Sequence, residues 1–197
     1  MTSRDMTWQD GTWTHRPVSI REEGDGLVVE PASGSDLWRV TSYGFVHDDA
    51  PALLADLPDD QAVEVTFVLG DGSPLEQFDQ AGVLLRADDE HWIKAGVEFA
   101  DGQLMAGAVV TDGRSDWSTG PVPAWVGRPI TVRASRSGDA VTVRARSGDE
   151  PWRLVRLAPI DPALPWQAGP FAAAPTRTGL QVTFTSWTVG PADDSLH

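Results

Sequence analysis

A chain of 197 residues with 15 Lys and Arg against 29 Asp and Glu has a formal net charge of −14, so a phosphate backbone is repelled over most of its surface and nucleic acid is not expected as a partner. The same charge opposes adsorption to an anionic leaflet, and no apolar run approaches the ~20 residues needed to span a bilayer, so no membrane partner is expected either. The absence of Cys removes disulfides, thiolate catalysis and thiolate-held zinc together.

The N-terminal segment MTSRDMTWQDGTW is polar and lacks the apolar stretch of a secretory signal, which predicts a cytoplasmic, freely soluble protein. The length suits a single domain over residues 1–197. Turn signals recur along it: GDG at 24–26, SGS at 33–35, an acidic, Gly-rich break at 70–73, ADGQ at 100–103, TDGR at 111–114, and SGD at 137–139 and 147–149. Short runs of Val, Ile, Thr, Leu and Phe separate them, the pattern of an all-β, two-sheet antiparallel sandwich. Each of the nine Trp is then either a core plug or an exposed platform for a ring-shaped ligand.

In chain order, SDLWRVTSYGFVHDDA reads as a loop that gathers Asp36, Trp38, Tyr43, His47, Asp48 and Asp49. Ala50 to Leu57, with Pro51 near its start and Pro58 just beyond, reads as a turn or an irregular edge strand. Three consecutive runs then alternate with period two. Val63, Val65, Phe67 and Leu69 oppose Glu64, Thr66 and Val68. Ala81, Val83 and Leu85 oppose Gln80, Gly82, Leu84 and Arg86. Ile93, Ala95, Val97 and Phe99 oppose Trp92, Lys94, Gly96 and Glu98. Short turns join the three, which predicts that they pair antiparallel and share one polar face.

The segments QLMAGAVVTD, RPITVRASRSG, AVTVRARSGD, WRLVRLAP and GLQVTFTSWTVG read as further strands. ITVRAS, SGD and AVTVRAR form the clearest hairpin, with Ile130, Val132 and Ala134 against Val141, Val143 and Ala145. DGRSDWSTG reads as a loop offering Ser115, Asp116 and Trp117. The closing PADDSLH reads as frayed.

The shared face, with Glu64, Thr66, Gln80, Arg86, Trp92, Lys94 and Glu98, suits carbohydrate: charged and amide side chains for hydroxyls, and a flat ring for an apolar sugar face. A solvated sheet face also alternates in this way. Gly82 and Gly96 tilt the reading towards a ligand, because strand-interior glycine marks a close approach to the backbone, although a bulge competes.

The strings DLWRVTSYGFVHDDA, FDQAGVLLRADDEHWIKAGVEFADG and VVTDGRSDWS resemble the regulation-of-enolase-like family of the concanavalin A-like lectin/glucanase superfamily, from about Trp13 to Gly190. The resemblance implies a jelly-roll sandwich whose concave sheet is the ligand face. By motif it implies a site of Asp36, Trp38, Tyr43, Asp79, Gln80, Trp92, Lys94, Glu98, Asp116 and Trp117. Alternation instead places Asp79 with the core set, where it would fix a strand end or a turn.

The paired-carboxylate strand motif E-x-D-x-x-E of the superfamily's glucanases is absent. Retaining hydrolysis needs two carboxyl groups about 5–5.5 Å apart and inversion about 6.5–9.5 Å, and Glu98 with Asp116, or with Glu64, is the candidate catalytic pair for either if the strands align. Lys94 with Tyr43 would serve proton abstraction in a lyase only with a lowered Lys pKa. His15, His47, His91 and His197 show no zinc-binding spacing. Asp48-Asp49 and Asp88-Asp89-Glu90 suit calcium less well than solvated turns. No metal and no cofactor are expected. The leading reading is a domain that binds a sugar or other small polar ligand; the alternatives are a glycoside hydrolase or lyase, and an intracellular regulatory domain with a protein partner.

Overall fold

The computed structural model describes residues 2–70 and 72–196; of the sequence features above, Asp71 of the 70–73 break and His197 lie outside them. The strands are β1 (Arg4–Asp5), β2 (Thr12–Trp13), β3 (Ser19–Glu23), β4 (Gly26–Glu30), β5 (Leu37–Arg39), β6 (Val46–Asp48), β7 (Leu53–Asp56), β8 (Gln61–Val68) and β9 (Gln80–Arg86). They continue with β10 (His91–Ala100), β11 (Gln103–Asp112), β12 (Arg114–Pro121), β13 (Ile130–Ser137), β14 (Ala140–Ser147), β15 (Arg153–Pro159), β16 (Gln167–Ala173) and β17 (Val182–Pro191). Among the described residues no helix is long and apolar enough to cross a membrane.

Two antiparallel sheets form the sandwich. The first runs β15-β14-β13-β8-β17-β4-β3, with β1 also on β17, and the second β12-β11-β10-β9-β16-β7-β2. Between them lies a core of alternating side chains: Val63, Val65 and Phe67 from β8, Val83 and Leu85 from β9, and Ile93 and Ala95 from β10. The three runs therefore point their apolar sets inward, as alternation requires. The hairpin of β13 and β14 has Val132 opposite Ala145 and Ala134 opposite Val143, the register read from sequence.

Several expectations are corrected. β8 does not pair with β9; it lies between β13 and β17 in the first sheet, while β9 and β10 belong to the second. Glu64 and Thr66 therefore sit on the outer face of the opposite sheet, where Glu64 accepts from Arg133 at 2.7 Å and Thr66 shares a hydroxyl contact of 2.9 Å with Thr131. The 70–73 break joins two sheets rather than two neighbouring strands, and alternation is blind to that difference. Ala50 to Leu57 contains β7, an interior strand between β16 and β2. β16, whose Pro170 breaks the usual pattern of an interior strand, lies between β9 and β7 and has no counterpart among the strands expected from sequence.

The 114–121 segment is an edge strand, not a loop. The C-terminal tail is held rather than frayed: Asp193 accepts from Arg133 Nε at 2.8 Å and pairs with Arg144, and its amide donates to Ser135 Oγ at 2.8 Å.

Candidate functional site

On the outer face of the second sheet, β5 and β6 form a separate two-stranded hairpin that packs against the strands. Its apolar underside closes a second core of Leu37, Trp38, Leu54, Leu84, Trp92, Val109 and Phe171. Its two ends are tied by the Asp36 amide donating to Asp49 Oδ1 at 3.0 Å. Polar anchors then clamp it to the sheet. Arg39 donates to the Gly113 carbonyl at 3.1 Å and pairs with Glu90. Asp48 accepts from Arg86 Nη2 at 2.8 Å. The hairpin tip is strained, since Val40 has φ 66° and Ser42 φ 65°, a region costly for L residues and most of all for a β-branched one.

Between this hairpin and the sheet opens a cavity of about 390 Å³. Its polar floor is Asp36, Gln80, Lys94 and Glu98. Its walls include Trp38, Tyr43, Phe45, Phe78 and Trp117, with His47, Gly34, Val109 and Pro175 completing the lining. Tyr43 stacks on Phe45 with centroids 5.3 Å apart and meets Trp38 edge-on at 5.6 Å. His47 meets Phe45 edge-on at 5.0 Å. Tyr43 is 60% exposed and Trp117 41%, unusual for large rings and suited to contact with a ligand.

The floor is built around Lys94, only 6% exposed. Its Nζ donates to Asp36 Oδ1 at 2.8 Å and to Gln80 Oε1 at 2.9 Å. Burial works against ionisation of Asp36, but the Lys94 charge and hydrogen bonds from Lys94, Leu37 and Gln80 outweigh it and hold the carboxyl below the usual carboxylate range. Glu98 has no such partner. Burial pushes its carboxyl up, only partly offset by the more distant Lys94 charge and the Trp117 side chain, and Asp36 adds to the upward shift. Its Oε1 is buried without a hydrogen-bond partner. The two acids on one floor are thus driven apart.

Of the residues read from sequence, Asp36, Trp38, Tyr43, Gln80, Lys94, Glu98 and Trp117 line the cavity. Trp92 does not. It is 1% exposed and packs in the second core, because the hairpin covers that part of the sheet. Asp116 points away too: it takes Arg156 of β15 at 2.5 Å, an ion pair linking the edges of the two sheets. Neither carboxylate partner proposed for Glu98 is therefore beside it, Glu64 lying in the other sheet and Asp116 on the other side of its own. The Lys94–Tyr43 lyase pairing is disfavoured, since Asp36 and Gln80 engage the Lys94 ammonium.

Asp79 is fully buried at the entry to β9, where its Oδ2 accepts from the Glu76 amide at 2.9 Å and from Arg177 at 3.4 Å. It fixes that turn, as alternation suggested. Asp88 caps its own turn by accepting from the Glu90 and His91 amides at 2.8 and 2.9 Å.

Gly82 and Gly96 are register partners on β9 and β10. A Cβ on Gly96 would lie 2.1 Å from the Ala81 carbonyl oxygen, and one on Gly82 the same distance from that of Ala95. The close approach that these glycines mark is thus of strand to strand, not of a ligand to the backbone. Phe45 and Phe78 escaped the sequence reading. The spacing of Tyr43, Phe45 and His47 at alternate positions would have flagged Phe45, whereas Phe78, at φ 66° before β9, has no such signal.

The chain is 35% identical over 196 residues to Regulation of enolase protein 1 of Saccharomyces cerevisiae, covering 99% of this chain and 97% of that protein. A crystal structure of a functionally unknown protein from Saccharomyces cerevisiae superposes with a TM-score of 0.87 at 34% identity, over 95% of this chain and 100% of that one. The xylan beta-1,4-xylosidase of Bacillus halodurans C-125 shares the fold with a TM-score of 0.71 at 13% identity, over 96% of this chain and 39% of the enzyme. The family described as "Protein of unknown function (DUF1349)" matches residues 13–192, and the chain belongs to it.

Proposed function

We propose that this chain is a carbohydrate-binding domain whose ligand lies in the cavity between the β5–β6 hairpin and the second sheet. One observation supports this reading above the others: a polar floor of Asp36, Gln80, Lys94 and Glu98 lies beneath exposed rings, Tyr43 and Trp117, in a space of about 390 Å³. That volume falls within the range of small-molecule sites, and the division into a few placed polar groups and an apolar wall matches their general chemistry. In the proposed roles, Asp36, Gln80, Lys94 and Glu98 bind hydroxyls, Tyr43 and Trp117 stack on a ring, and Trp38 backs Tyr43. Trp92 and Asp116 have no contact role.

Titration with a broad set of mono- and oligosaccharides, followed by Trp fluorescence and calorimetry, tests the reading. A saturable response that Trp117→Ala weakens by up to about tenfold is expected, since stacking is worth roughly 0.5–1.5 kcal/mol. No response to any sugar refutes it.

The name of the yeast relative, Regulation of enolase protein 1, favours a second reading, in which an intracellular domain regulates a protein partner. A stable partner recovered with the full chain, whose binding survives changes in the cavity, favours that role over sugar binding.

A further inference from the structure

The charges in the cavity do not balance. Among the described residues its lining holds two carboxyl groups, Asp36 and Glu98, and one permanent cation, Lys94. His47, also in the lining, lies 3.6 Å from Asp49 rather than beside Glu98. Lys94 is committed to Asp36 at 2.8 Å. Glu98 is therefore the acid left over. Trp117 offers it a neutral indole, which supplies no compensating charge.

Three further features act in the same direction. Oε1 of Glu98 lacks a partner while shielded from water, a state that costs free energy unless a ligand or a small rearrangement relieves it. Tyr43, Phe45 and Trp117 line the same space, and aromatic faces attract cations. With a net charge of −14, the protein raises the local concentration of cations and lowers that of anions.

Resting on the sugar-binding reading above, we infer that the ligand is an amino sugar whose ammonium group pairs with Glu98, rather than an uncharged or an acidic sugar. An acidic sugar would bring a further negative charge to a floor whose lysine is already matched. An uncharged sugar would leave Glu98 without a counter-charge. N-acetylation abolishes the ammonium while retaining the ring, so the acetylated sugar is the sharpest control.

The test uses the full chain at neutral pH and calorimetric titration with the gluco, galacto and manno forms of four probes: the free 2-amino hexose, its N-acetyl derivative, the parent hexose and the uronic acid. At least one amino hexose is expected to bind about tenfold or more tightly than its acetylated and parent forms, the scale of one charge-assisted hydrogen bond. Glu98→Gln is expected to erase that preference. Glu98→Asp, which keeps the charge but withdraws it by one methylene, is expected to reduce it and serves if the Gln variant does not fold. Equal or tighter binding of a parent hexose or uronic acid, or a preference that survives Glu98→Gln, overturns the pairing and leaves the sugar site standing. Binding of none of the probes overturns the pairing, and overturns the sugar site as well if the oligosaccharides also give no response.

Discussion

Lys94 on β10 and Asp36 at the entry to β5 meet with Nζ 2.8 Å from Oδ1, although 58 positions separate them in the chain. Lys94 belongs to the sheet and Asp36 to the base of the hairpin that overlies it. Their ion pair thus fixes one end of the hairpin and shapes the cavity floor. It also decides which acid is left without an ion-pair partner, because the Lys94 ammonium is within hydrogen-bond reach of Asp36 and Gln80 and acts on Glu98 only from farther away.

Removing one member of this pair should cost more than removing both. Lys94→Met leaves Asp36 without compensation and is expected to lower stability by roughly 3 kcal/mol, at the low end for broken buried pairs because Asp36 keeps some solvent contact. Combining it with Asp36→Asn should recover part of the loss, and a double-mutant cycle of urea unfolding measures the coupling. The folded pKa of Asp36 is depressed, so its contribution is present above the unfolded value near pH ~3.9 and is lost as pH falls through the lower folded value. Lys94→Met should therefore flatten the acid limb of the stability curve.

Glu98 should show the opposite sign. Its pKa is raised in the folded state, so the native protein binds more protons than the unfolded chain between the two values, and stability falls as pH rises across that interval. Glu98→Gln removes this liability. The variant is expected to melt at a higher temperature than the parent at pH 7, with the gap closing towards pH 4. A gap that widens towards acid would contradict the assignment.

Trp92 and Trp117, both read from sequence as ligand-contact residues, should respond differently to truncation. Trp92→Ala opens a void in the second core and is expected to cost about 3–5 kcal/mol. Trp117→Ala, at an exposed position on an edge strand, should shift the unfolding midpoint only slightly while weakening ligand binding. Thermal melts of the two variants side by side provide the comparison.

Gly96→Ala should be among the most damaging single methyl additions in the chain. The new Cβ would meet the Ala81 carbonyl oxygen at 2.1 Å and Gly82 Cα at 2.7 Å, both backbone atoms of the adjacent strand. Relief requires the central strands to move apart, so a loss of about 3 kcal/mol, or failure to fold, is expected. Denaturant unfolding and soluble yield measure it.

Turn spacing and alternation suffice to read a sandwich, the core sets of β8, β9, β10, β13 and β14, and the side of β9 and β10 that turns away from the core, whereas the core side chains of β4, β7 and β16 are not legible this way. Period-two alternation is a local property of the extended chain and survives any rearrangement of the sheets. It also picked out Gln80, Lys94 and Glu98 as one face, and the loop reading supplied Asp36, Tyr43 and Trp117. How these residues come together depends on the packing of the whole chain. Alternation says which way a side chain points but not which sheet its strand joins, so Glu64 and Thr66 were grouped with residues on the far side of the molecule. Nor does it say what lies above a face: folding of β5 and β6 over the sheet turned Trp92 from a platform into core and gave Lys94 its partner. Pairing distant segments depends on the balance of hydrophobic burial and charge matching over the whole chain, and no window of neighbouring residues contains that information.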